Sequence, residues 1–191
     1  DMTIPDSLTT TISLDFNQAI IEVLTYLKNI GHKKIGFLGG KEFLEDGSLF
    51  EDQRKISFIS YCENNKISYK EFIMEDTFSV DSGYNMMKQI IKNNKIPTAI
   101  FAASDSIAIG AMKALQDNGF SIPEDVSIVG FNNTAISKYT TPPLTTISAP
   151  AYAMGVYGAS ILKEMTISKL PAPLKIQLPC ALIQRSTCKS L

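Results

Sequence analysis

The sequence has no tryptophan, one histidine and three cysteines, and its 18 basic residues are nearly balanced by 19 acidic ones. Each scarcity removes a class of function. With His32 as the lone imidazole, a Ser-His-Asp triad would have to centre there, and no G-x-S-x-G elbow accompanies it. His32 also follows a helix-ending glycine and precedes a strand, where a structural or surface role is the better reading. Cys62, Cys180 and Cys188 are odd in number and form no C-x-x-C pair. They suit a reduced, intracellular setting, leave a single disulfide open, and offer no metal-ligand cluster.

A formal net charge of −1 and the lack of any Lys/Arg run leave no electrostatic footprint for nucleic acid, so any DNA contact belongs to another segment. No apolar run reaches membrane-spanning length. Residues 1–11 are polar without a basic flank, which argues against a retained signal peptide and leaves a removed one open. The missing initiator methionine leads us to expect a segment upstream. The glycine-rich GFLGG at 36–40 lacks both the G-x-G-x-x-G spacing and the P-loop Lys-Ser/Thr pair. No cofactor is implied.

What is present is the material of a globular α/β protein. Hydrophobic residues make up 45% of 191 positions and charged residues 19%, enough to bury a core without staples. Short β-branched runs alternate with helical-period runs, the pattern of βα units around a parallel sheet. Residues 9–14 read as a strand. Asp15 then reads as an N-cap, with Gln18 completing a capping-box pattern. Ile20, Val23, Leu24 and Leu27 follow at helical spacing, and Gly31 sits at the C′ position.

Further strands are predicted at 34–38, 71–74, 98–102, 126–131, 144–148, 174–178 and 181–184. Helices are predicted at 51–64 with Phe58, Ile59 and Cys62 inward, at 81–92 with Tyr84, Met87 and Ile91 on one face, at 104–118, and at 152–165. Residues 41–47 read as a polar loop. Gly119 and Pro123 end the fourth helix, Pro142–Pro143 break the chain, and Pro171 and Pro173 lead into the last strands.

Four ordered blocks carry a family resemblance. They are IGHKKIGFLGG at 30–40, PTAIFAASDSIAIGAMKALQDNGFSIPEDVSIVGFNN at 97–133, TPPLTTISAP at 141–150 and MGVYGASIL at 154–162. In order and spacing they resemble the LacI/GalR family of transcription regulators. ASDSIAIG at 103–110 and SGY at 82–84 look most like its galactoside and galactose-operon members.

The resemblance implies a periplasmic-binding-protein-like region with two Rossmann-like lobes closing on a sugar. Residues 33–147 and 173–188 would form a complete C-terminal lobe. Residues 1–31 and 149–172 would be parts of the N-terminal lobe, with the DNA-binding headpiece outside the chain. It further implies a cytoplasmic homodimeric repressor, with galactose or a β-galactoside as effector and operator DNA as partner, and no enzymatic activity. A secreted sugar-binding protein of a transport system shares the fold and is the alternative.

A sugar site needs forked donors, carboxylate or amide acceptors and an aromatic face, at the carboxyl ends of parallel strands. Arg54, Phe78, Ser104, Asp105 and Asn132 fill those places. Arg54 matches the family's arginine on the second helix, against a solvated role. Phe78 matches an aromatic platform, against core packing. Ser104 is equally a helix N-cap, and Asp105 a first-turn carboxylate. Asn132 stands where many relatives carry Asp, against a turn residue. Glu42 and Asp46 read as solvated. Ala149 and Ala151 replace larger polar or aromatic groups of some relatives, which implies a roomier or less polar pocket. For the dimer, the helix at 105–118 and the loop at 137–139 supply Ala108, Met112, Ser137 and Tyr139.

Overall fold

The computed structural model describes residues 9–167 and 173–191. The first strand, β1 (Thr11–Leu14), leads into α1 (Phe16–Asn29). Asp15 starts the helix by accepting from Gln18 N at 2.9 Å. The reciprocal half of the capping box does not form. Gln18 Nε2 donates to Glu22 at 2.9 Å and its Oε1 accepts from Cys180 N at 3.2 Å, while Asp15 N donates to Leu178 O at 2.9 Å. A long-range tie to the chain's last strands outcompetes the local cap. Gly31, at φ +104°, closes the helix in a conformation that side chains resist.

Next comes β2 (Ile35–Gly40). Where a loop was predicted, β3 (Glu42–Phe43) and β4 (Leu49–Phe50) pair as a small hairpin. Asp46 shapes its turn, accepting from Ser48 N at 2.8 Å and Ser48 Oγ at 2.6 Å. Then follow α2 (Gln53–Asn64), β5 (Ile73–Asp76), α3 (Val80–Lys92), β6 (Ala99–Ala102), α4 (Asp105–Asp117), β7 (Ser127–Phe131), β8 (Thr145–Ser148), α5 (Ala151–Ile167), β9 (Lys175–Leu178) and β10 (Ala181–Ile183).

Six strands form one sheet in the order β10-β8-β7-β6-β2-β5, parallel throughout except for β10. Strand alternation divides the core into two layers. Ile35, Phe37, Phe101 and Val129 face α1 and α2, whereas Leu38, Ile100, Ala102 and Ile128 face α3 and α4. Each buried aliphatic or Phe side chain contributes about 2 kcal/mol.

The inward face of α3 is Ser82, Gly83, Met86, Met87 and Ile90, rotated from the predicted Tyr84, Met87 and Ile91. Glycines cause the rotation. A Cβ at Gly83 would lie 2.1 Å from Ile107 O, and one at Gly110 would lie 2.0 Å from Val80 O, so α3 and α4 meet backbone to backbone.

The stripe of α1 lies in the core of the six-stranded sheet, because nothing else among the described residues covers it. β9 pairs in parallel with β1, from Thr11↔Lys175 to Leu14↔Leu178, in a separate two-stranded sheet. Leu14 of β1 still reaches the core beneath the main sheet, whereas no residue of α5 is buried. Pro171 and residues 1–8, part of the predicted N-terminal-lobe fragment, lie outside the described residues.

Candidate functional site

The chain passes from β2 outward to the edge strand β5, then returns to β6 and continues to the other side. The strand order therefore reverses between β2 and β6, and a parallel sheet opens a crevice at the carboxyl ends of such a pair. A cleft of about 340 Å³ lies there, within the range of a small-molecule site. Leu14, Phe16, Glu42, Arg54, Phe78, Ser104, Ser106, Phe131 and Asn132 line it. Four of the five predicted ligand residues, Arg54, Phe78, Ser104 and Asn132, thus meet in one place.

Arg54 is the centre of the arrangement. Its Nε donates to Asp52 Oδ1 at 2.8 Å and Oδ2 at 3.0 Å, and its Nη1 donates to Ala103 O at 2.9 Å. Asp52 is itself the N-cap of α2, accepting from Arg54 N at 2.9 Å. The guanidinium carbon lies 5.0 Å from the Phe78 ring centroid, 5.4 Å from Phe16 and 5.5 Å from Phe131. Among the described residues nothing accepts from Nη2, so a rigidly held fork keeps donors for a ligand. Phe78 is fixed in turn by Gly40, where a Cβ would fall 2.2 Å from the ring.

Ser104 serves the helix and borders the cleft. Its hydroxyl caps α4, accepting from Ile107 N at 3.2 Å, while the residue lines the cleft. Asn132 follows β7 at φ +100° and Asn133 follows at φ +52°. Asn132 N donates to Ile147 O at 2.8 Å, which turns the exposed side chain over the cleft.

Asp105 is not brought to the cleft. It is fully buried, accepting from Thr134 N at 2.6 Å, Thr134 Oγ1 at 2.9 Å and Thr146 Oγ1 at 2.6 Å. Burial pushes its carboxyl above the usual carboxylate range, against the pull of those hydrogen bonds. It braces the loop that carries Asn132.

Comparison with known proteins bears on what such a cleft serves. Residues 24–188 match the model of the periplasmic binding protein-like domain. The chain belongs to that family. It is 36% identical over 180 residues to the HTH-type transcriptional regulator GalR of Streptococcus thermophilus, across 93% of this chain and 54% of the relative. It is 34% identical over 184 residues to the HTH-type transcriptional repressor MelR of Bacillus subtilis strain 168, across 93% and 52%. The lac repressor dimer bound to operator and the anti-inducer ONPF superposes with a TM-score of 0.84 at 26% identity, covering 94% of this chain and 60% of that one. The resemblance to LacI/GalR regulators therefore holds along nearly the whole sequence. The chain spans about half the length of the curated relatives it matches.

In this periplasmic-binding-protein-like chain, three of the four predicted interface residues face inward. Ala108 and Met112 are buried in the core between α4, α3 and the sheet. Ser137 is buried too, its hydroxyl donating to Thr134 O at 2.7 Å. Met112 reaches the surface only as part of a groove shared with Ile109, Lys113, Gln116, Thr140 and Thr141. Tyr139 is 71% exposed, and its neighbour Ile136 is 55% exposed.

His32 is a buried structural residue, with Nδ1 2.9 Å from Thr98 Oγ1 and Nε2 3.1 Å from Ser127 Oγ. Leu14, Phe16, Ser106 and Phe131 line the cleft without having been singled out from the sequence. Phe16 and Phe131 sit beside an N-cap and at a strand's end, where an aromatic reads as core. Glu42, read as solvated, is exposed but also lines the cleft.

Proposed function

We propose that this chain is the effector-binding and dimerisation region of a sugar-responsive transcription repressor. It senses galactose or a β-galactoside and alters operator affinity through a headpiece outside the chain. The single observation that carries this reading is the caged guanidinium of Arg54, pre-set between three rings at the switch point and facing Ser104 and Asn132. Forked donors, an amide and a hydroxyl beside aromatic faces are the groups that a ring of hydroxyls requires. In this reading the protein acts in the cytoplasm, binds and releases its ligand unchanged, and is not an enzyme.

The body made of β1, β9 and α5 belongs to a second lobe completed by other parts of the full-length protein. A sugar bridging the lobes favours one closure angle only through unequal affinity for the two closure states. Paired headpieces meeting a two-fold operator require a homodimer. Its surface includes the exposed Ile136 and Tyr139, in place of the buried Ala108, Met112 and Ser137.

The test is a dye-based thermal-shift titration of the full-length protein against galactose, lactose, other common sugars and purines. A saturable rise with a galactoside, as ligand linkage requires, supports the reading. A rise with a purine alone overturns the sugar assignment.

A further inference from the structure

We infer that Glu42 sets the charge selectivity of the cleft, so that it admits uncharged, hydroxyl-rich ligands and rejects sugars bearing phosphate or carboxylate. The inference rests on the sugar-sensing reading above and concerns a residue for which sequence reasoning expected only solvent.

The observation is an imbalance of charge. Among the described residues lining the cleft, Arg54 is the one cation, and both Asp52 oxygens already face its Nε. Arg54 therefore brings donors to a ligand without bringing net positive charge. Asp105 is turned away and occupied by Thr134 and Thr146. Glu42 is different. It lines the same cleft, and no hydrogen bond or ion pair from another described residue reaches its carboxylate.

Its place is held by the hairpin. Lys41 N donates to Asp76 O at 2.6 Å, β3 pairs with β4, and Phe50 lines a narrow gap with Glu42, Arg54 and Phe78. A ligand bound at Arg54 thus meets Glu42 across a partly enclosed space. A sugar hydroxyl can donate to that carboxylate in a charge-assisted hydrogen bond. A phosphate or carboxylate would bring like charge to it, with no surplus cation among the described lining residues to compensate.

The experiment is isothermal titration of the full-length protein with galactose, lactose, galactose 6-phosphate and galactonate, repeated on Glu42→Gln and Glu42→Lys. Urea midpoints monitor folding, which an exposed hairpin position leaves unchanged. The wild type binds a neutral sugar at least about 100-fold more tightly than its charged counterparts. Glu42→Gln weakens the neutral sugar about tenfold and narrows that gap, and Glu42→Lys narrows it further. Two results overturn the inference while leaving sugar sensing intact: neutral-sugar affinity and selectivity unchanged within about twofold in Glu42→Gln, or a wild type that prefers the charged sugars. A wild type that binds none of the four overturns the galactoside reading, and this inference with it.

Discussion

Arg54 has surrendered most of its side-chain freedom before any ligand arrives. Asp52 holds one edge of the guanidinium, the Ala103 carbonyl holds one tip, and three rings enclose its faces. The ordering entropy is spent in folding, so binding loses less of it. Arg54→Lys keeps the charge and loses the fork. Titration calorimetry should show galactoside affinity falling by at least about tenfold. Affinity within about twofold of wild type would remove Arg54 from the binding role.

Asp105 is the second test at this scale. Asp105→Ala strands donors from Thr134 and Thr146 in a buried site, and urea denaturation should show a loss of about 3 kcal/mol. The sequence showed Ser104 as a cap, because a cap is local. It could not show the brace made by Asp105, whose partners lie 29 and 41 residues away.

His32 gives a pH signature. Burial pushes its imidazole below the usual 6.5, only partly opposed by a backbone hydrogen bond at Lys189. The folded state favours the neutral ring, so this contribution is complete above the unfolded value. It is lost as pH falls through the lower folded value. The urea midpoint should therefore drop between about pH 7.5 and about pH 5.5, and drop less in His32→Asn. Equal slopes in the two proteins would remove His32 as the cause.

At the scale of elements, α3 and α4 pack so closely that Gly83 and Gly110 each stand where any side chain would strike backbone. Gly83→Ala should cost about 3 kcal/mol by urea denaturation, although alanine favours helix on its own. A stabilised variant would show that the helices can separate cheaply. The periodicity of residues 80–92 gave away the helix but not its inward face, because a glycine contact leaves no mark in a hydrophobic pattern. The hairpin of β3 and β4 was equally hidden. Two-residue strands have no alternation to read, and its turn is shaped by Asp46 alone among the acidic residues of that stretch. The buried strands were legible because a parallel sheet covered on both faces demands unbroken apolar runs, as in β6 and β7.

For the whole molecule, the sequence shows the elements more plainly than their partners. A pattern shows that α1 has an apolar stripe and that residues 175–178 form a strand. It does not show which sheet receives them, and β9 joins β1 rather than the main sheet. The same three-dimensional view links the cleft to a surface. Arg185 Nη2 donates to Asn133 Oδ1 at 2.7 Å, and its Nη1 donates to Ser137 Oγ at 3.1 Å and Leu144 O at 2.6 Å. The loop after Asn132 is thereby tied to the turn that displays Ile136 and Tyr139. If that turn is part of the dimer surface, Tyr139→Asp should convert the full-length protein from dimer to monomer in equilibrium sedimentation. An undisturbed dimer would place the interface elsewhere.

In the proposed reading, an occupied cleft changes DNA binding. That change is tested most directly by the affinity of the full-length protein for a DNA fragment carrying its own promoter. Fluorescence anisotropy would record that affinity with and without saturating galactoside. A change of at least about tenfold is expected, absent in Arg54→Ala. A galactoside that stabilises the protein thermally yet leaves its DNA affinity unaltered would contradict that reading.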